Sequence, residues 1–300
     1  MPDWFVGFTL ERRRIGEVQL NLRHNLAAAA GKPPLLLLHG FPQSHVMWHR
    51  VAPRLTEHFA LVLPDLRGYG DSDKPPTDGA HAAYSKRTMA ADLAGLMRAL
   101  GFERFALCGH DRGGRVAHRM TLDFPQAVSR LMLLDISPTL TMYERTDMAF
   151  AQAYYHWFFL TQPAPLPERL IGADPVFYLR KKLGGWGSHG LELFDVRALA
   201  EYERCFSDPA AIHAMCEDYR AAASIDLEHD RADAQARIAC PLHVLWGERG
   251  VVHRLFAPIA DWQEKASGRV TGRTTPGGHY IAEESSDLLL AEMLSFFIPS

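Results

Sequence analysis

The stretch Phe105-Ala106-Leu107-Cys108-Gly109-His110-Asp111-Arg112-Gly113-Gly114-Arg115 decides how this chain is read. Four strand-like residues run into the pattern G-x-D-x-G, after which a helix is expected to begin near Gly113. A strand–turn–helix elbow of this kind holds one reactive side chain at its apex. The flanking positions are glycine because so sharp a turn leaves no room for neighbouring side chains. Serine is the usual apex residue of such an elbow; here it is Asp111. The plain alternative is a turn in which Asp111 merely caps a helix.

Outward from the elbow, Leu35–Leu38 is an apolar run bounded by Pro33-Pro34 and His39-Gly40, the mark of a strand buried on both faces. Ala60–Leu63, Phe105–Cys108, Arg130–Leu134 and His243–Trp246 repeat that mark. Between them, Lys86–Leu100 carries Met89, Leu93, Leu96, Met97 and Leu100 at helical spacing. Strands alternating with helices predict an α/β fold with a mostly parallel sheet flanked by helices on both faces. The rhythm changes between 139 and 237, where strand-like runs disappear. That third of the chain holds 14 of the 31 aromatic residues, more than a self-packed helical core needs, and suits the roof of a small-molecule pocket. The expected organisation is a core domain of residues 1–138 and 238–300, with 139–237 inserted as a helical cap.

The chain has 300 residues, 47% hydrophobic and 22% charged, which excludes a disordered, fibrous or coiled-coil protein. Its 32 Lys and Arg against 35 Asp and Glu leave a net charge of -3, with no basic surplus for nucleic acid. The four cysteines show no metal-ligand or disulfide spacing and suit reduced thiols in the cytoplasm. Met1-Pro2-Asp3-Trp4-Phe5 lacks the apolar core of a signal peptide, and Gly31-Lys32-Pro33-Pro34 breaks the most apolar early run, so no membrane segment is expected. No HExxH or P-loop pattern occurs, and no metal, nucleotide or flavin is called for.

Three partners bear on Asp111. His39-Gly40-Phe41-Pro42 follows the first buried strand, where the backbone N–H of Phe41 would join that of Arg112 in an oxyanion hole. His279, in Pro276-Gly277-Gly278-His279, suits a general base. Asp135 ends the strand Arg130–Leu134 and is placed to orient His279; Glu248 is the fallback acid. Nucleophile, acid and histidine then follow the chain order expected of this elbow.

Together the elbow, His39-Gly40-Phe41-Pro42, Asp65-Leu66-Arg67-Gly68-Tyr69-Gly70 and Gly277-Gly278-His279 resemble the α/β-hydrolase fold, in its Asp-nucleophile branch of haloalkane dehalogenases, epoxide hydrolases and haloacetate dehalogenases. Within that branch, His110–Arg115, Tyr155-His156-Trp157-Phe158, Gln162–Pro167 and Cys216-Glu217-Asp218-Tyr219-Arg220 resemble the fluoroacetate dehalogenases, over nearly the whole chain. The resemblance implies a cofactor-free hydrolase acting on a small haloacid, and a homodimer. It assigns the departing halide to His156, Trp157 and Tyr219. Asp135 takes the triad position in the haloacetate group.

The residue types suit that chemistry. A carboxylate attacking a halogen-bearing carbon forms an ester that water can cleave, whereas serine would leave a stable ether. Arg112 and Arg115 flank a helix start, where cations oppose the helix dipole, but where they can grip a substrate carboxylate and keep Asp111 ionised. Fluoride is strongly hydrated and needs several donors in place of water. Two other readings stand beside this one. An epoxide hydrolase would use the same Asp111 and His279, with Tyr154 and Tyr155 as proton donors, although relatives of that kind usually carry Trp where Arg112 stands. A binding or sensor protein would need none of the three reactive residues.

Overall fold

The computed structural model describes residues 4–298; Met1–Asp3 of the N-terminal stretch lie outside them. Eight strands form one sheet: β1 (Thr9–Ile15), β2 (Val18–His24), β3 (Pro34–Leu38), β4 (Ala60–Pro64), β5 (Phe105–His110), β6 (Val128–Leu134), β7 (Leu242–Gly247) and β8 (Val270–Thr275). Their spatial order is β1-β2-β4-β3-β5-β6-β7-β8. Pairing is antiparallel from β1 through β2 to β4 and parallel from β4 to β8. Leu35–Leu38 are fully buried at the centre of the sheet, as strands covered by helices on both faces require.

The five strands marked by apolar runs are all present, and three others carry no such mark. β1 reads Thr-Leu-Glu-Arg-Arg-Arg-Ile, a charged edge strand open to solvent. β2 alternates apolar and polar residues beside it. β8, at the opposite edge, reads Val-Thr-Gly-Arg-Thr-Thr. An edge strand has only one neighbour to satisfy and one face to bury, so its composition stays polar.

Helix α1 (Lys86–Ala99) begins where the Ser85 hydroxyl accepts a hydrogen bond from the Thr88 amide at 3.1 Å. Helix α2 runs from Asp111 to Asp123, so it starts at the apex residue itself and not near Gly113. Asp111 has φ +43°, a left-handed conformation that is costly for a residue with a side chain. The elbow glycines permit it. A Cβ on Gly109 would lie 2.6 Å from the Gly113 carbonyl oxygen, and one on Gly113 would lie 2.3 Å from that of His39.

Between β6 and β7 the chain is helical, with no strand from Thr139 to Ala232. Among its helices are α3 (Tyr155–Phe159), α4 (Pro175–Leu183) and α5 (Pro209–Ala223). The segment touches residues that follow the carboxyl ends of β5 and β8: Asp218 bonds Arg112 and Trp186 packs on His279, at the end of the sheet where open parallel sheets hold their ligands. No helix among the described residues is long and apolar enough to cross a membrane.

Gly113→Ala is therefore expected to cost about 1–3 kcal/mol through overpacking at the elbow. Gly172→Ala, on the exposed face of the helix Leu166–Ala173 with nothing within 4 Å of the new methyl, is expected to stabilise by about 0.5–1 kcal/mol. Denaturant unfolding of the two variants beside the parent checks both signs.

Candidate active site

Asp111 is buried at the end of β5, and its Oδ2 accepts a hydrogen bond from the Phe41 amide at 3.0 Å. That amide is brought in by the turn after β3, where Gly40 makes room: a Cβ there would sit 2.6 Å from the Asp111 Cβ. Burial alone would raise the Asp111 carboxyl. The charges of His279, Arg115 and Arg112 outweigh it and hold the group below the ordinary aspartate range.

His279 Nδ1 lies 2.6 Å from Asp135 Oδ2, with both residues buried. Asp135 Oδ1 accepts from the Gly247 amide at 3.0 Å, so both carboxylate oxygens are held. This second carboxylate also follows a strand at positive φ, +51°. Burial disfavours the charged imidazole of His279, but the bond and charge of Asp135, followed by the charge of Asp111, raise its pKa. Glu248 is exposed; only its amide is engaged here, donating to the Thr275 carbonyl at 3.0 Å. The carboxylate that meets the imidazole is that of Asp135. Behind the pair, His110 Nε2 donates to the His279 carbonyl at 2.8 Å, and burial pushes its pKa down to about 3.

Arg112 is fully buried, and its guanidinium is already engaged on one edge. Its Nε and Nη2 donate to the two carboxylate oxygens of Asp218 at 2.8 and 2.9 Å, and Nη2 also reaches the Asp218 carbonyl. Nη1 alone has no partner within the protein. Arg115 Nη1 donates to Thr139 Oγ1 at 2.9 Å and lies 3.3 Å from the Ser137 carbonyl; its Nε is unpartnered. Neither arginine therefore keeps a whole fork free. Each keeps one nitrogen without a protein partner, and each guanidinium is fixed over an aromatic face, Arg112 over Tyr219 at 4.2 Å and Arg115 over Trp157 at 4.6 Å.

The helical segment supplies the opposite wall. His156 stacks on Phe41 at 5.8 Å between ring centroids and meets Tyr219 edge-on at 5.5 Å. His156 Nδ1 and the hydroxyls of Tyr219 and Tyr154 are buried without protein partners. Burial, Lys182 and His279 hold His156 far below the ordinary histidine value, so its ring is neutral. Burial likewise keeps both phenols protonated. Tyr155 faces the other way and is 44% exposed. Of the two tyrosines expected of an epoxide site, only Tyr154 is at the reaction centre.

Asp218 escaped the reading of the sequence as a site residue. It sits on α5, 106 residues beyond Arg112, and also accepts from Tyr69 Oη at 2.6 Å and from Lys86 Nζ. Burial opposes its charge, but Arg112 and Lys86 outweigh burial and hold the carboxyl well below its usual range. No spacing signals this pairing; the only hint is its place beside Tyr219. Among the described residues, no cluster of His, Cys, Asp or Glu suits a metal ion.

A family model for the alpha/beta hydrolase fold matches residues 33–283. The chain belongs to that family and is a hydrolase. It is 46% identical to a fluoroacetate dehalogenase from Burkholderia sp, over 97% of this chain and 95% of the relative. It is 34% identical to a soluble epoxide hydrolase from Corynebacterium sp. (strain C12), over 92% and 93%. A crystal structure from Nostoc sp PCC 7120, provisionally assigned as an alpha/beta hydrolase, superposes with a TM-score of 0.95 at 51% identity, covering 99% of this chain and all of that one.

Replacing Asp218 by Asn should leave Arg112 and Lys86 without their shared counter-charge. Loss of about 3–5 kcal/mol of stability is expected, since removing one partner of a buried ion pair strands the other. Thermal unfolding and chloroacetate KM, measured together, check this; an unchanged KM would detach Asp218 from the site.

Proposed function

We propose that this hydrolase converts haloacetates, fluoroacetate and chloroacetate among them, to glycolate and halide through an ester on Asp111. The observation that carries the reading is an ionised, buried carboxylate beside two buried arginines that each retain one unpartnered nitrogen. Such a pair of single donors matches the two oxygens of a small carboxylate. A neutral substrate would leave Arg112 Nη1 and Arg115 Nε without a charged acceptor.

With Oδ2 held by the Phe41 amide, Oδ1 is the oxygen free to attack. It displaces halide from the substrate carbon, and the halide leaves with the bonding pair toward His156, Trp157 and Tyr219. Oδ2 becomes the ester carbonyl oxygen, already on one oxyanion donor, with the Arg112 amide as the second. His279, oriented by Asp135, takes a proton from water, which attacks the Asp111 carbonyl carbon. Glycolate departs and the carboxylate is restored; haloacetate and water yield glycolate, halide and a proton. In the same proposal, residues 139–237 form a cap over the core domain of 1–138 and 238–300, and the enzyme is a cytoplasmic homodimer.

Epoxide opening is the second reading, favoured by the unpartnered Tyr154 hydroxyl and opposed by the arginine pair. A binding protein is opposed by the assembled Asp111, His279 and Asp135. Purified protein given fluoroacetate, chloroacetate and a neutral epoxide should release halide from the first two; epoxide opening without halide release would overturn the proposal. Arg115→Gln should lower kcat/KM for chloroacetate by about 10²- to 10³-fold, by analogy with the loss of a single preorganised donor. A single turnover in heavy-oxygen water should label Asp111 before glycolate.

The raised pKa of His279 sets the sign of the pH dependence. The imidazole works as a base only when neutral, so ester hydrolysis should rise with pH through a midpoint above the ordinary value of about 6.5. Asp135→Asn removes the charge and weakens the bond that raise it most. The rapid-quench profile of that variant should be slower and have its midpoint at lower pH.

A further inference from the structure

Lys182, on α4, is a buried lysine at 3% exposure that the chemistry above does not use. Lysines withdrawn from water are ordinarily paired with a carboxylate. Among the described residues, no carboxylate acts on this one. Three aromatic faces surround it instead: Nζ lies 3.6 Å from the ring centre of Tyr155, 5.2 Å from Tyr178 and 5.5 Å from Trp186. Rings stabilise an ammonium but supply no counter-charge. Burial, with Lys181 beside it, pulls its pKa down to about 7.

The cage lies between solvent and the reaction centre. Tyr155 is largely exposed and Trp186 half-buried. Trp186 also packs on His156 at 4.6 Å and stands edge-on to His279 at 5.1 Å. The field of Lys182 reaches His156, where it is the second influence after burial. Below about pH 7, a cation without a counter-ion thus sits one aromatic layer outside a site whose own cations are fixed.

We propose that Lys182 is an outer binding position for a small carboxylate, holding the acid on the solvent side of the Trp186 and His156 rings before it passes to Arg112 and Arg115. The inference rests on the haloacid reading, since it assigns the anion as substrate. A carboxylate there supplies the counter-charge that the chain does not. The position acts on capture and leaves the bond-breaking steps to Asp111 and His279.

The test is glycolate formation from chloroacetate by the parent, Lys182→Met and Lys182→Arg, at low and high ionic strength set with sodium sulfate. Lys182→Met should lower kcat/KM roughly five- to tenfold at low salt with kcat within about twofold, as expected when an electrostatic capture site is lost. The deficit should shrink at about 1 M ionic strength, where the screening length is near 3 Å. Lys182→Arg should restore kcat/KM, which also guards against a folding defect in the methionine variant. Equal kcat/KM in parent and Lys182→Met, or a loss confined to kcat, would overturn the outer position while leaving the haloacid reading intact. Absence of glycolate formation by the parent itself would overturn both.

Discussion

The contact between the elbow and the loop after β3 constrains everything else in this molecule. Gly113 packs against the His39 carbonyl, and Gly40 against the Asp111 side chain, so that two backbone segments meet where ordinary residues would collide. That approach is what delivers the Phe41 amide to Asp111 Oδ2 at 3.0 Å. It also keeps Asp111 at positive φ as the first residue of α2, with its carboxylate turned away from the sheet. Local strain at the apex is tolerated because strand, turn and helix are each locked by their neighbours.

Charge balance is the second layer. Arg112, Arg115, Lys86, Asp111, Asp135 and Asp218 are all withdrawn from water within one region. Asp218 ties the helical segment to the core by taking one edge of Arg112, and Asp135 takes His279. The remaining polar atoms, Arg112 Nη1, Arg115 Nε, His156 Nδ1 and the hydroxyls of Tyr154 and Tyr219, have no protein partner. Leaving so many buried polar groups unsatisfied is costly in any structural role. Under the proposed function, an anionic substrate with an electronegative leaving group would meet them together.

How much of this was legible in the sequence follows from the range of each interaction. The apolar runs at Leu35–Leu38 and Arg130–Leu134 announced central strands, because a strand buried on both faces has no polar positions. β1 and β8 carried no such signal, since an edge strand is shaped mainly by solvent. The helix start was misplaced by two residues. Gly113 reads as the first helical residue in a pattern search, whereas hydrogen bonding begins the helix at the strained Asp111 itself.

Asp111, His279 and Asp135 could be picked out because turn chemistry and chain order are written locally, in glycines, strand ends and their succession. The arginine pair was visible as two cations at a helix start. That each arginine presents one open nitrogen, and not a whole fork, was decided only by folding. Asp218 lies 106 residues from Arg112, and nothing in either neighbourhood specifies that they meet. The sequence by itself determined the fold class and singled out Asp111, Asp135 and His279 as candidates, since these depend on periodicity and short-range turn geometry. Only the tertiary structure decided which donors remain open, because that depends on how buried charges from distant segments neutralise one another.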